Sequence, residues 1–298
     1  MKYFVAKDEK LRLEATTRAG LRGSFVALSD GITHYELRGP QGGALVVLVG
    51  GLTIPLFYWD RAAALLHERG MRTLAYSSYG RGYSDRIRTR YDDALFVRQL
   101  SDLIAALYLP GPHHVVGSSM GALVAMDYVI SHAPAVATLT VAGPAGLAPR
   151  PAALRWLLSG DRRAAFVARH FGRRWLRAHE SHNLGDTTHA AELSAMLRDA
   201  YRYEGSLHAL FDTLQHFGLF DRAGLYRRTG DLGVPTLLLW GRDDQVTPID
   251  KIDAACALLR PDHREILDCG HMTPFERSRE VTDLIVAFAS AHRDGSIS

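Results

Sequence analysis

A serine in a glycine-flanked turn is the residue best placed for chemistry in this sequence. Residues 117–121 read Gly-Ser-Ser-Met-Gly and match the pattern Gly-x-Ser-x-Gly with Ser119 at its centre. An apolar run precedes this turn and a helix-favouring run follows it, so the chain must reverse from strand to helix within a few residues. Such a turn projects its central hydroxyl beside unpaired helix N–H groups, which suits a nucleophile that attacks a carbonyl. Plain glycine–serine turns share the pattern, and Ser118 is a competing hydroxyl.

A serine nucleophile needs a base and a carboxylate that orients the base. Asp244 and His271 each follow the end of an apolar, strand-like run within a few residues. The chain order is therefore serine, aspartate, histidine, with each residue on a turn after a predicted strand. We expect His271 to take the proton of Ser119 and Asp244 to hold the imidazole in the required tautomer. The adjacent Asp243 is the alternative carboxylate.

Alternating strand and helix patterns position these residues. An Asp-Gly turn between two alternating runs predicts a β-hairpin over residues 25–37. Apolar runs predict buried strands and periodic segments predict helices. The predicted strands are residues 44–49, 72–76, 113–116, 137–142, 235–240 and 264–268, and the predicted helices are roughly residues 58–68, 92–108 and 278–292. This alternation predicts an α/β fold with a mostly parallel, doubly wound sheet, whose carboxyl edge carries the site.

The strand pattern is interrupted by a helical segment. Residues 149–230 are rich in arginine and aromatic residues and contain no strand signal. We predict that they form a helical cap, or lid, inserted into a core made of residues 1–148 and 231–298. Apolar residues at helical spacing predict the buried face of a cap helix; they are Phe166, Val167, His170, Phe171, Trp175 and Leu176. The arginines between them predict a solvated face, with an anionic substrate, a membrane surface or a carrier protein as alternative partners.

Four motifs in this order resemble those of the α/β-hydrolase superfamily, in its capped, esterase- and lipase-like branch, over roughly residues 24–292. Residues 117–121 are similar to the nucleophile elbow and residues 241–244 to the acid turn. Residues 269–276 resemble the histidine turn, and residues 79–85 resemble the glycine-rich loop after the fourth strand. The resemblance implies an α/β-hydrolase fold in which Ser119 forms an acyl-enzyme.

The resemblance also implies an oxyanion hole made by the backbone N–H groups of Leu52 and Met120. Preorganised donors of this kind are worth ~3–4 kcal/mol of barrier each. The expected substrate pocket contains Gly50, Gly51, Thr53, Phe171, Trp175 and Met272. Two positions depart from the family pattern. Gly50 stands where the oxyanion loop often has a histidine, and Ser77 stands where the fourth strand usually ends in an aspartate.

Composition narrows the range of partners and cofactors. The 298 residues are 47% hydrophobic, enough for a large core, and a net charge of +3 gives no reason to expect a nucleic acid partner. Two cysteines are too few for a disulfide framework, and the histidines lack metal-ligand spacing, so we expect no metal and no cofactor. We see no transmembrane segment and no signal-peptide apolar region, so we expect a cytoplasmic protein.

The leading hypothesis from the sequence is a serine hydrolase for an ester, thioester or lactone with a hydrophobic acyl part. The same three residues also suit an acyltransferase or cyclase, or a carbon–carbon bond hydrolase. A non-catalytic ligand receptor on this fold is an alternative of a different class, which saturable binding without turnover would reveal. Haloalkane dehalogenases and epoxide hydrolases are disfavoured because they need a carboxylate where this chain has Ser119.

Overall fold

An eight-stranded sheet forms the centre of the fold in the computed structural model, which describes residues 1–185 and 188–292. The strands are β1 (Ser24–Ala27), β2 (Ile32–Arg38), β3 (Leu45–Val49), β4 (Arg72–Tyr76), β5 (His113–Ser118), β6 (Val136–Ala142), β7 (Thr236–Gly241) and β8 (His263–Leu267). Their order across the sheet is β1-β2-β4-β3-β5-β6-β7-β8. The β1–β2 and β2–β4 pairs are antiparallel and all the other pairs are parallel. The predicted mostly parallel α/β fold is confirmed.

Helices connect the strands and cover both faces of the sheet. Within the described ranges they are α1 (Ala15–Ala19), α2 (Asp60–Glu68), α3 (Asp93–Ala106), α4 (Met120–His132), α5 (Ala152–Leu157), α6 (Asp161–Ser181), α7 (Ala190–Ala200), α8 (Ser206–His216), α9 (Ala223–Gly230), α10 (Ile252–Leu259), α11 (Thr273–Glu276) and α12 (Ser278–Ala291). Short 3₁₀ turns lie at Leu56–Trp59, Ala133–Ala135 and Ile249–Lys251. The boundaries predicted from the sequence agree with these elements to within a few residues.

The central strands are buried on both faces, which explains their continuous apolar sequences. Every residue of β3, β5 and β7 is buried. The parallel register pairs Val49 with Gly117, Ser118 with Ala142, and Gly241 with Leu267. The carboxyl ends of these strands therefore lie along one edge of the sheet, and the turns that follow them are brought together there.

The segment between β6 and β7 is helical, from α5 to α9. Its longest helix, α6, packs on α8 with small residues at the contact. Ala164, Ala168 and Gly172 are buried, and a Cβ added at Gly172 would lie 3.1 Å from the ring of Phe211. Part of the predicted inner face of this helix is present, since Leu176 is buried and the ring of Trp175 lies 5.8 Å from that of Phe211 in α8. The prediction is wrong for Phe166, His170 and Phe171, which are exposed, because the positions between them and α8 are taken by small side chains that allow a close approach. Residues 186–187 of the predicted cap and 293–298 of the predicted core lie outside the described residues.

Among the helices of residues 1–185 and 188–292, none combines the length and the apolar character that crossing a bilayer requires.

Gly121, at the start of α4, is expected to be indispensable for the packing of this helix on β3. A Cβ at Gly121 would lie 2.2 Å from the Val49 carbonyl oxygen and 2.6 Å from that of Gly50. Backbone atoms cannot rotate away as a side chain can, so Gly121→Ala should lower the free energy of unfolding by about 3 kcal/mol or more. Urea unfolding monitored by circular dichroism measures this. Gly224→Ala is the matched control, since an added Cβ there meets no atom within 4 Å. A stable Gly121→Ala protein would contradict the expected clash.

Candidate active site

Ser119 occupies the tip of the turn between β5 and α4. Its backbone has φ 56° and ψ −118°, a left-handed conformation that is strained for a residue with a side chain. The turn is held by the hydrogen bond from Ser119 N–H to the Ala142 carbonyl at 2.9 Å. Glycine at position 117 permits this geometry, because a Cβ there would lie 2.5 Å from the carbonyl oxygen of Gly121. The strained turn expected from the sequence is therefore present, with the hydroxyl of Ser119 at its apex.

The neighbouring Ser118 is engaged elsewhere. Its hydroxyl lies 3.1 Å from the hydroxyl of Tyr58, and its side chain is buried. Burial raises the pKa of Tyr58, so this phenol stays protonated at neutral pH. Ser119 is only partly buried. Ser119 is therefore accessible to a ligand and Ser118 is not, which agrees with the position of Ser119 at the tip of the turn.

Asp244 and His271 form a hydrogen-bonded pair beyond β7 and β8. The distance from His271 Nδ1 to Asp244 Oδ2 is 2.8 Å. A carboxylate only accepts, so Nδ1 carries the proton and Nε2 is left as an acceptor. The other oxygen of Asp244 accepts from the N–H groups of Val246 and Thr247 at 2.8 and 2.7 Å, and the Thr247 hydroxyl lies 2.7 Å from Oδ2. Asp243, by contrast, is exposed.

The loop that carries His271 is held by the chain just after α6. The Asn183 carbonyl accepts from the N–H groups of His271 and Met272 at 2.9 and 3.2 Å. Behind it, the Glu276 carboxylate accepts from Gly185 N–H at 2.7 Å and from Gly270 N–H at 3.2 Å. The end of α6 therefore contributes directly to the position of the histidine, a contact that the sequence did not indicate.

The loop after β3 lies against the nucleophile turn. A Cβ at Gly51 would be only 3.3 Å from the Cβ of Ser119. Neither Leu52 N–H nor Met120 N–H donates to a backbone carbonyl in the described part of the chain, so both donors are available. Met120 directly follows Ser119 in the chain, and Leu52 lines both cavities that Ser119 lines.

Arg81 holds the loop after β3 in place by hydrogen bonds. It is fully buried, and its Nε donates to the Leu52 carbonyl at 2.7 Å. Its Nη1 donates to the Tyr79 carbonyl and its Nη2 to the Thr213 hydroxyl of α8, each at 3.0 Å. The guanidinium thus joins the loop at Leu52 to the helical segment above. The sequence marked Arg81 only as part of a glycine-rich loop, so its long-range partners were missed.

Ser77 is the second position that departs from the family pattern, and its hydroxyl joins two neighbouring segments. Its hydroxyl oxygen accepts from Leu56 N–H at 3.0 Å and lies 3.2 Å from His34 Nδ1. The other ring nitrogen of His34 donates to the Arg22 carbonyl at 2.8 Å, and burial lowers the pKa of His34 to about 4. A neutral histidine and a serine hydroxyl therefore hold the segment after the loop where a charged aspartate was expected.

Two adjoining cavities contain Ser119. The larger, with a volume of about 200 Å³, is mainly apolar; its walls include Leu147, Leu154, Leu214, Leu219, Phe220 and Trp240. The smaller is lined by Ser119, His271 and three of the predicted pocket residues, which are Gly51, Thr53 and Met272. Trp175 lines the larger cavity and Leu52 lines both, whereas Gly50 lines neither. Phe171 is 52% exposed on the outside of α6, so its predicted place in the pocket is wrong.

His179 of α6 lines both cavities and was not identified from the sequence. Its ring stacks on Trp175 with centroids 4.9 Å apart, and neither ring nitrogen has a hydrogen-bond partner among the described residues. Burial, reinforced by the nearby imidazoles of His271 and His182, lowers the pKa of His179 to about 4. At neutral pH this imidazole is uncharged and can give or accept one hydrogen bond inside the cavity. The sequence signal available was its spacing of four residues from Trp175.

Across residues 1–185 and 188–292, no group of three His, Cys, Asp or Glu side chains is arranged to hold a metal.

Known proteins resemble this chain in sequence and in fold. A family described as having the alpha/beta hydrolase fold matches residues 43–278. The chain is 26% identical over 289 residues to a 2-hydroxy-6-oxononadienedioate/2-hydroxy-6-oxononatrienedioate hydrolase of Cupriavidus pinatubonensis, covering 93% of this chain and 98% of that protein. It is 29% identical over 234 residues to monoacylglycerol lipase ABHD6 of Bos taurus, covering 71% of this chain and 66% of the lipase. A thermophilic esterase structure from Thermogutta terrifontis superposes with a TM-score of 0.77 at 19% identity, over 91% of this chain and 100% of the esterase chain.

Proposed function

Because this chain belongs to the family with the alpha/beta hydrolase fold, we propose that it is a serine hydrolase that cleaves an ester, thioester or lactone with a hydrophobic acyl part. The observation that carries this proposal is the Asp244–His271 hydrogen bond of 2.8 Å beside a strained serine turn that opens into an apolar cavity. An activated serine and an apolar acyl site together suit acyl transfer to water.

The proposed reaction has two halves with the same proton carrier. His271 Nε2 removes the proton of Ser119 Oγ as the oxygen bonds to the substrate carbonyl carbon, and the resulting imidazolium donates to Asp244. The N–H groups of Leu52 and Met120 stabilise the oxyanion. The imidazolium then protonates the leaving oxygen or sulfur as its bond to the carbonyl carbon breaks. Water, deprotonated by His271, attacks the acyl-enzyme and releases the acid and free Ser119.

The helical segment supports the acyl part of this proposal. Leu154 of α5, Trp175 of α6 and Leu214 of α8 all face the larger cavity. We propose that residues 149–230 act as a cap that completes the acyl site and excludes water from it. Exclusion of water strengthens the hydrogen bonds to the oxyanion, because the effective dielectric constant falls.

A carbon–carbon bond hydrolase is the second candidate, since the relative from Cupriavidus pinatubonensis acts on a dioate and matches nearly the whole chain. Such a substrate carries two carboxylates that need cationic partners. Among the described lining residues of the larger cavity, Lys251 is the one cation, and its ammonium already lies 2.7 Å from the carboxylate of Asp250. This shortage of free positive charge favours an uncharged ester over a dicarboxylate.

Labelling by a fluorophosphonate followed by intact-protein mass spectrometry tests the proposed mechanism. We expect one adduct, and p-nitrophenyl esters of increasing chain length should then define the acyl preference. If the folded protein forms no adduct but binds ligand saturably, the protein is a non-catalytic ligand receptor and not a serine hydrolase. Faster turnover of a dienol diketone acid than of every ester would favour the carbon–carbon bond hydrolase. An adduct without ester turnover would indicate acyl transfer to another acceptor.

His179 is expected to select substrates that carry a hydrogen-bonding group near the scissile carbonyl. His179→Phe keeps a ring on Trp175 but removes both nitrogens, so one hydrogen bond to substrate is lost. We expect kcat/KM for a glycerol monoester to fall about 5- to 10-fold, and kcat/KM for the methyl ester of the same acid to change little. The ratio of the two values is the measurement, because a general loss of structure would lower both. His170→Phe, on the exposed side of the same helix, is the control. An unchanged ratio would remove His179 from substrate recognition.

A further inference from the structure

Exposed aromatic side chains cluster on the outer face of α5 and α6. Trp156 is 62% exposed, Phe166 57% and Phe171 52%, and these are three of the six large apolar side chains that are exposed in the described residues. The rings of Phe166 and Phe171 are 6.4 Å apart on α6, and Arg163 of the same helix reaches α5, where its guanidinium lies 4.5 Å from the centroid of the Trp156 ring. Single exposed apolar residues are ordinary, but a cluster of aromatic rings on one face needs an explanation.

The same face is strongly basic. Residues 152–181 contain seven arginines and two carboxylates, whereas the other 268 residues contain 28 lysines and arginines against 30 aspartates and glutamates. Arg162, Arg174 and Arg177 are exposed, and in the described part of the chain none of them forms an ion pair. We call Trp156, Arg162, Arg163, Phe166, Arg174 and Arg177 the arginine–aromatic face. Its charge and its rings together define what can cover it.

A second copy of this chain fits the face poorly. A two-fold symmetric contact would set these arginines against the same arginines, with few carboxylates to pair with them. A nucleic acid would satisfy the charge, but it offers no apolar phase into which a cluster of Trp and Phe rings could insert. A bilayer that contains anionic lipids satisfies both: headgroups pair with the arginines and the rings enter the acyl boundary, while arginine stems extend toward the headgroups.

We propose that the arginine–aromatic face docks on the surface of an anionic phospholipid bilayer. The inner side of the same two helices lines the larger cavity, through Leu154 of α5 and through Trp175 and His179 of α6. A bilayer on the outer face therefore lies about one helix diameter, roughly 10 Å, from the cavity that contains Ser119. Docking brings the cavity to the phase in which apolar acyl compounds concentrate. The proposal does not depend on the chemistry of Ser119.

Sedimentation with sucrose-loaded vesicles tests the docking. Two vesicle compositions are compared: phosphatidylcholine alone, and two parts phosphatidylcholine to one part phosphatidylglycerol. The full-length protein should sediment with the anionic vesicles and remain in the supernatant with the neutral ones. Added salt should weaken the binding, because it screens the attraction between arginines and headgroups.

Two pairs of substitutions locate the binding face. Arg174→Gln with Arg177→Gln should weaken binding to anionic vesicles at least ~10-fold, because each basic residue near the surface contributes to attraction. Trp156→Ser with Phe166→Ser should weaken it similarly by removing the inserted rings. Arg227→Gln with Arg279→Gln removes two exposed arginines of α9 and α12 and is the charge-matched control. Tyr108→Ser, at a side chain that is 90% exposed, is the aromatic control.

Three results would overturn the proposal. The first is a failure of the vesicle tests: the unmodified protein sediments equally with neutral and anionic vesicles, or the face variants and the control variants lose binding to anionic vesicles equally. The second is a dimer in sedimentation velocity without lipid that the face variants abolish, which would assign the face to a second copy. The third is binding to heparin as tight as that to vesicles and insensitive to the aromatic pair, which would assign the arginines to a soluble polyanion. Urea unfolding of each variant separates loss of binding from loss of fold.

Discussion

Ser119→Ala is expected to lower kcat for ester hydrolysis on the order of 10⁵- to 10⁶-fold and to abolish fluorophosphonate labelling. Without the hydroxyl there is no oxygen to form the acyl-enzyme, and His271 has no proton to carry. The remaining rate would come from the Leu52 and Met120 donors and from binding in the apolar cavity, which act without the nucleophile. Steady-state turnover of a p-nitrophenyl ester and intact mass after labelling measure the two effects.

Ser118→Ala is the matched control for this experiment. It removes the hydroxyl that lies 3.1 Å from Tyr58 but leaves the tip of the turn unchanged. We expect Ser118→Ala to retain labelling and most of the turnover. Persistent labelling of Ser119→Ala, or loss of labelling only in Ser118→Ala, would move the nucleophile to another residue. Both outcomes are read from the same mass spectra. A urea unfolding curve of each variant shows separately whether the protein is folded.

Asp244→Asn is expected to lower kcat/KM about 10⁴-fold with little change in fold. The amide can turn its N–H toward His271 Nδ1, which then accepts instead of donating. The proton of the imidazole moves to Nε2, where it blocks the transfer from Ser119. Ester hydrolysis across a pH series measures the loss, and circular dichroism checks that the protein is folded.

Asp243→Asn is the control for the carboxylate. The two residues are adjacent, carry the same charge and receive the same change, but only Asp244 contacts His271. We expect the activity of Asp243→Asn to stay within about twofold of the unmodified protein, as is usual for an exposed substitution away from packing and hydrogen bonds. Inactivation by Asp243→Asn with an active Asp244→Asn would assign the orienting role to the other carboxylate.

The α6 helix shows where sequence periodicity misleads. Phe166, Phe171 and Trp175 recur at helical spacing, and the pattern predicts that they share a buried face. In the structure Gly172 and the ring of Trp175 lie against Phe211 of α8, and Ala164 and Ala168 are buried, whereas Phe166 and Phe171 are exposed. Periodicity identifies a helix with two unlike faces, but Phe166 and Phe171 lie outside the buried face and only Trp175 lies on it. Which face packs depends on how closely another helix approaches, and that distance is not encoded locally.

The sequence by itself determined the strand order along the chain, the mostly parallel sheet and the turns that carry Ser119, Asp244 and His271. Those features depend on local patterns: buried strands are continuous apolar runs, and parallel strands end at one edge, so turns after them meet. That rule brings Asp244 and His271 to the same edge of the sheet, where the structure shows them 2.8 Å apart. Only the tertiary structure decided that Arg81 holds the Leu52 carbonyl, that Asn183 holds the histidine loop and that His179 faces the cavity. The partners of Arg81 are far from it in sequence: Leu52 is 29 positions away and Thr213 is 132 positions away. No local pattern records such partners, because a buried polar side chain is satisfied by whichever group the fold brings to it.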